Sequence, residues 1–276
     1  MSLQRPLAEH LAEYKEQGFT VFASLHSDAW VRQVRGWLGR DFSGHFATGQ
    51  GGPFWQGDSR TGRVAVAPAM QAWESQPFGA TLMDDILCHP GILDFAELVM
   101  GPFVQLDSCE VTGYPGMGVA GNDGDGDGPR PGQSWHRDGF DVSKVWSAGQ
   151  PMQMWRPGAA IDATNAPPKV TATRRAYTPP LACNYLTYLQ DQDGTDATAP
   201  LRVIPGSHRD YSHIVDSDAS QPHPREVLVA APAGSVVFTH CGVYHSGSIN
   251  LRPSTRYFVS CYLNRLGSAI PLHATL

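Results

Sequence analysis

Gly234-Ser235-Val236-Val237-Phe238-Thr239-His240-Cys241-Gly242-Val243-Tyr244-His245-Ser246-Gly247-Ser248 opens on a β-branched and aromatic run, breaks at Cys241-Gly242, and brings His245 to the end of a strand. Such a run fits a pleated, buried surface rather than a helix. Eleven residues after His245 comes Arg256, heading another run that reaches Leu263 and lies on the next strand if a hairpin joins the two. Working outward, similar short runs occupy Phe103 to Thr112, Leu181 to Leu189, Leu201 to Ile204 and Val227 to Val229, with Pro-Gly, Asp-Gly and Ala-Gly at the turns. Many short strands of this texture suit a mainly β (α+β) fold: a double-stranded β-helix, or jelly roll.

The first hundred residues read differently. Residues 6 to 16 suggest a helix stopped by Gly18, followed by a strand through Phe19, Val21 and Phe22. Ser27 is placed to cap a second helix whose Trp30, Val31, Val34, Trp37 and Leu38 recur at helical spacing, with an end expected near Gly39. From Asp41 to Pro77 the pattern is irregular. Pro90 suits the first turn of a third helix, and Gly101-Pro102 its stop. These helices are expected on the outer face of the roll. The expected organisation is one domain, 1–276, with a helix-rich part at 1–102, a jelly-roll core at 103–276, and an insertion at 142–180 suited to a substrate lid.

Composition narrows the function. The 276 residues are 41% apolar and only 17% charged, enough for a substantial core, and 29 Gly with 22 Pro favour turns. A net charge of -6 provides no field for phosphate backbones, so nucleic acid is excluded as a main partner and a small-molecule substrate is expected. No apolar run reaches membrane-spanning length and no secretory h-region opens the chain, which makes the cytoplasm the expected compartment. The five cysteines (88, 109, 183, 241, 261) stand singly and read as buried thiols. Oligomeric state is not legible.

Three His-x-Asp triplets occur: His26-Ser27-Asp28, His136-Arg137-Asp138 and His208-Arg209-Asp210. On a strand, residues two apart face one side, so an imidazole and a carboxylate at this spacing can reach one ion. The first triplet lies at a helix start, where Asp is explained by the dipole. The third follows a Pro-Gly-Ser turn and reads as a surface corner bonding to local backbone. The second lies at the expected sheet mouth and needs a third ligand, for which His245 and His240 are both candidates. His213 and His223 lie in polar, Pro-rich sequence and read as solvated. Gly116 to Gly121 fits GxGxxG without a following helix, and Asp123 to Gly128 starts like a calcium loop whose twelfth position is Ser134 instead of Glu. Both are set aside, the second as a mobile acidic loop.

Trp135-His136-Arg137-Asp138, the segment Pro200-Leu201-Arg202-Val203-Ile204-Pro205-Gly206-Ser207-His208, the His245-to-Arg256 spacing with Asn250 between, and Glu16-Gln17-Gly18-Phe19-Thr20-Val21 near the start together resemble the phytanoyl-CoA dioxygenase family of iron(II)/2-oxoglutarate oxygenases. The resemblance implies His136, Asp138 and His245 as iron ligands and Arg256 as the anchor for the 2-oxoglutarate carboxylate. The cofactors it implies are Fe(II), 2-oxoglutarate and O2, and the expected reaction is hydroxylation with release of succinate and CO2. Residue chemistry agrees, since two imidazoles and a carboxylate suit Fe(II) with open positions, and a planar guanidinium suits a carboxylate. Arg137, Arg174 and Arg175 are candidates for an acidic substrate group. The competing expectations are a zinc hydrolase on the same three residues, in which Arg256 has no role, and a jelly-roll binding protein without catalysis.

Overall fold

The computed structural model describes residues 4–48, 55–58, 63–66, 83–114, 135–138, 177, 179–195, 198–209, 223–248 and 250–265. The 142–180 insertion, apart from 177, 179 and 180, lies outside these residues. So do the 116–121 and 123–128 segments, Arg174, Arg175, Asp210 and His213.

Helix α1 (Leu7–Gln17) ends as expected at Gly18, which takes φ 85° and returns its N–H to the Tyr14 carbonyl. Strand β1 (Phe19–Phe22) follows, and Ser27 accepts from the Trp30 N–H to cap α2 (Asp28–Thr48). That helix passes straight through Gly39, where an end was expected. A helical glycine weakens the helix by about 1 kcal/mol relative to alanine but does not terminate it unless the chain must turn there. Strands β2 (Trp55–Asp58) and β3 (Arg63–Val66) occupy sequence that had read as irregular. A short π-helical turn (Met83–Leu87) precedes α3 (Pro90–Met100).

The remaining strands are β4 (Val104–Tyr114), β5 (Ala182–Tyr188), β6 (Leu201–Val203), β7 (Val227–Leu228), β8 (Val236–His240), β9 (His245–Gly247) and β10 (Arg256–Arg265). They form an antiparallel sheet in the order β1-β8-β5-β10-β4-β3-β2 and a smaller one, β7-β6-β9. The chain crosses from the large sheet to the small one between β8 and β9, and returns with β10.

Alternation along the large sheet divides its side chains into two layers. Val236, Phe238, Cys183, Tyr185, Val259, Cys261 and Leu263 face outward and pack against Tyr14, Leu38, Phe95 and Met100 of the helices. Val237, Leu186, Tyr188 and Phe258 face inward against Leu201 and Val203 of the small sheet. The helices therefore cover the outer face, and the space between the sheets is the barrel interior. Cys109, Cys183 and Cys261 are buried and all five cysteines are free, but Cys88 is exposed and Cys241 half-exposed, against the expectation of five buried thiols. Cys88 immediately precedes the capping residue of α3, His89, in the turn between the π-helical segment and that helix. Among the described residues no helix is long and apolar enough to cross a membrane.

Candidate metal centre

His245 is paired with Val203, an inward-facing core residue, so its own side chain enters the barrel interior. His136 lies opposite His245 in an isolated antiparallel bridge, each N–H donating to the other's carbonyl at 2.9 Å. This places the two rings side by side, with centroids 4.2 Å apart. Two residues on, Asp138 completes the set. Its Oδ1 lies 3.5 Å from His136 Nε2 and its Oδ2 3.4 Å from His245 Nε2. One donor atom from each of the three residues lies within 4.8 Å of the others, and all three side chains are nearly closed to solvent.

Electrostatics prepare this cluster for a cation. Burial alone would push the Asp138 carboxyl up, but His245, His136 and the Asn184 amide outweigh it and hold the group well below the usual carboxylate range. Burial lowers His245 to about 4, more than the adjacent Asp138 carboxylate restores, so the ring is neutral near pH 7. Its Nδ1 lies 3.1 Å from the Val243 carbonyl. A carbonyl only accepts, so Nδ1 carries the proton and the Nε2 lone pair points toward Asp138. Two imidazole nitrogens and a carboxylate converging in a buried pocket form the donor set that Fe(II) takes with positions left open. The residues fit the ion.

Arg256 begins β10 on the same face as Phe258, Ser260 and Tyr262, which puts it in the barrel interior. Its guanidinium lies 4.7 Å from the Phe258 ring centroid and 5.7 Å from that of Tyr188. It also borders a polar cleft of about 140 Å³ with Gln190, Asn250, Ser254 and Arg35; His136, Asp138 and His245 do not line that cleft. Four residues along β10 from Arg256 stands Ser260, which reaches the Asp138 cluster through Asn184.

The other candidates fall elsewhere. His26 is buried, stacked on Trp30 with centroids 4.2 Å apart, and its backbone N–H donates to Gly234, in keeping with a structural role. His208 corrects an expectation: it is not a surface corner but a buried ring whose Nε2 contacts the Lys15 carbonyl of α1, 193 residues away in sequence. The turn before it is covered because Gly206 N–H donates to the Gln17 carbonyl at the end of α1. His240 packs 4.9 Å from His208 and accepts from the Gly242 N–H at Nδ1, away from the ligands. His223 is partly exposed, with its ring 6.0 Å from that of Trp135 and its Nδ1 accepting from Arg225 N–H. Arg137 lies over Tyr244 at 4.0 Å and donates to the Ser207 carbonyl.

Asn184 is a residue of the cluster that the sequence alone does not single out. It donates from Nδ2 to Asp138 Oδ2 at 3.1 Å from the middle of a wholly buried strand. The available signal was a β-depleted amide in the run Ala-Cys-Asn-Tyr-Leu-Thr-Tyr.

A family model for phytanoyl-CoA dioxygenase (PhyH) matches residues 14–257. Solved structures share the fold. EctD from S. alaskensis with bound Fe aligns at 18% identity and TM-score 0.61, over 98% of this chain and 81% of its own. HygX from Streptomyces hygroscopicus, with nickel and 2-oxoglutarate bound, aligns at 14% and 0.59, over 96% and 89%. The epimerase SnoN in complex with Fe3+, alpha ketoglutarate and nogalamycin RO aligns at 17% and 0.57, over 94% and 83%. Against EvdMO1 (14%, TM-score 0.58, 95% of this chain) the chain spans 50% of the neighbour's length. Curated protein sequences give no match. At these identities the solved structures speak for the fold, while the family model extends over most of the chain. On that match, the chain belongs to the phytanoyl-CoA dioxygenase family of non-haem iron, 2-oxoglutarate-dependent oxygenases.

Proposed function

We propose that this chain binds Fe(II) through His136, Asp138 and His245, binds the distal carboxylate of 2-oxoglutarate through Arg256, and hydroxylates an unactivated C–H bond of a small molecule. The observation that carries the reading is the convergence of two imidazoles and one carboxylate within 4.8 Å inside the barrel. When bound, iron and 2-oxoglutarate supply an oxidant from O2, with release of succinate and CO2.

The chain's own residues orient and shield that chemistry. Val243 holds the His245 tautomer, and Asn184 holds the Asp138 carboxylate. Leu186, Val203, Val237 and Phe258 keep the interior dry, which strengthens each charge interaction there. Arg256 and Ser260 lie four residues apart on one strand face, about 13 Å at the usual rise. That gap suits an arginine side chain and a five-carbon diacid laid end to end. Hydroxylation is the default outcome of such a site. SnoN, which shares the fold, is an epimerase, so the placement of substrate decides the outcome.

The test is a titration of the Fe(II)-loaded protein with 2-oxoglutarate under nitrogen, followed by O2 addition and assay of succinate. A metal-to-ligand charge-transfer band followed by succinate release is expected. Truncating Arg256 to Ala should weaken 2-oxoglutarate binding by roughly 2 to 5 kcal/mol, the usual loss when one partner of a buried charge pair is removed. That is about thirty-fold or more. Arg256→Lys should lose much of it too, because one ammonium does not reproduce the fork. Absence of the band in the parent, with hydrolytic activity on the zinc-loaded protein, would establish the hydrolase reading instead.

A further inference from the structure

We propose that Asn184 is the positioning residue for the Asp138 carboxylate: its amide holds one carboxylate oxygen and leaves the other to the metal. The inference rests on the metal reading given under Proposed function and deepens it.

Asn184 lies on the inward face of β5 and is 4% exposed. Its Nδ2 donates to Asp138 Oδ2 at 3.1 Å, while its Oδ1 accepts from Ser260 Oγ at 3.3 Å. The ionised carboxylate can only accept, so the amide nitrogen must face it and the amide oxygen must face the serine. The carboxylate contact fixes the orientation of the amide, because reversal would set its oxygen against a carboxylate oxygen, whereas the serine hydroxyl can accept as well as donate. The backbone is fixed as well, because Thr239 Oγ1 donates to the Asn184 carbonyl from the adjacent strand β8. A chain of side chains thus runs from β10 through β5 to Asp138.

A carboxylate with two equivalent free oxygens can turn and chelate an ion with both. With Oδ2 held by the amide N–H the carboxylate is not free to turn, and its Oδ1 is set 3.5 Å from His136 Nε2, on the side where an ion shared with that ring would sit. A one-oxygen ligand preserves the open positions that a bidentate 2-oxo acid needs. A buried primary amide is costly to desolvate unless both ends are bonded, and here both are.

The experiment uses Co(II) as probe on the full chain, with affinity measured by calorimetry and coordination read from the visible absorption bands. Asn184→Leu keeps the volume and removes both bonds. It should bind Co(II) about 10- to 100-fold more weakly, the usual loss when the hydrogen-bond partner of a metal ligand is removed. Its Co(II) spectrum should also change in band position and intensity, which a mere loss of folding stability does not produce. Ser260→Ala releases only the far end of the amide and should give a smaller loss in the same direction. Parental affinity and spectrum in a folded Asn184→Leu protein overturn the proposal. If that variant does not fold, parental affinity and spectrum in Ser260→Ala overturn it. Asp138→Ala is the control: if it binds Co(II) as the parent does, the metal reading itself falls, whereas its failure to bind beside an unaffected Asn184→Leu removes only this inference.

Discussion

His136 and His245 have ring centroids 4.2 Å apart, and His208 and His240 have theirs 4.9 Å apart. Each pair joins the His of a His-Arg-Asp triplet to a residue of the crossing from β8 to β9, and both pairs are buried. Their surroundings differ. Between the first pair lies a carboxylate, and the bond from His245 Nδ1 to the Val243 carbonyl leaves Nε2 for an ion. Around the second lie the rings of Tyr14 and Tyr177, with His240 Nδ1 accepting from Gly242 and His208 Nε2 against the Lys15 carbonyl. Proximity of imidazoles therefore does not make a metal centre. A carboxylate shared between the two rings is what sets the first pair apart.

The sharpest way to break this comparison is to remove the carboxylate. Asp138→Ala should reduce Co(II) or Fe(II) affinity by about 100-fold or more with the fold intact, consistent with loss of a direct ligand outweighing the 10- to 100-fold seen for a supporting partner. His208→Ala and His240→Ala should leave metal stoichiometry unchanged. Calorimetric titration of the three variants checks both halves, and a drop in stoichiometry in His240→Ala would reverse the assignment of the third ligand.

The second pair should answer to stability instead. His208→Ala removes a buried partner of the Lys15 carbonyl and the packing against Gly18, at roughly 1–3 kcal/mol in urea unfolding. Gly18→Ala should be destabilised for two reasons at once. The residue has φ 85°, and an added Cβ would stand 2.5 Å from His208 Nδ1. Urea midpoints equal to the parent's in both variants would show that the pair carries no load.

A third effect, confined to acid pH and absent near pH 7, concerns the first triplet. Burial, with the neighbouring His89 adding to it, lowers His26 to about 3. The folded state thus keeps the ring neutral at pH values where the unfolded chain takes up a proton. Stability from this group is complete above about pH 6.5 and is lost as the pH falls from there toward 3, by at most about 1.4 kcal/mol per pH unit. In metal-free protein, His26→Phe keeps the stacking on Trp30 and should show a shallower decline in unfolding free energy between pH 6 and 4. Parallel pH profiles for the two would refute the assignment.

Much of the fold was legible because period-2 runs and helix punctuation agree with the tertiary environment: Gly18, Ser27 and Pro90 each mark the boundary they suggested. Gly39 did not, since a glycine flanked by good helix formers is only weakly unfavourable. Strands β2 and β3 are harder to read because Trp-Gln-Gly-Asp and Arg-Val-Ala-Val are only four residues each and lie at one edge of the sheet. At the site, the spacing of His136 and Asp138 was local and therefore readable. The burial of His208 was not, because it depends on α1, which meets that turn only after folding. Asn184 was invisible for a related reason: its partners Asp138 and Ser260 come from other segments, and one amide in an apolar strand names neither.

The mutual backbone bonds of His136 and His245 also bear on how such a chain can diversify. The two residues are 109 positions apart (245 minus 136) yet are fastened to each other directly, N–H to carbonyl in both directions. The approach of the two rings thus rests on a direct backbone bridge and not on the length of chain between them. That stretch also carries β5 and β6, whose Asn184 and Val203 meet Asp138 and His245, so changes of length are tolerated only in its connections outside those strands. The arrangement separates the part of the molecule that must stay constant from the part that selection can rewrite.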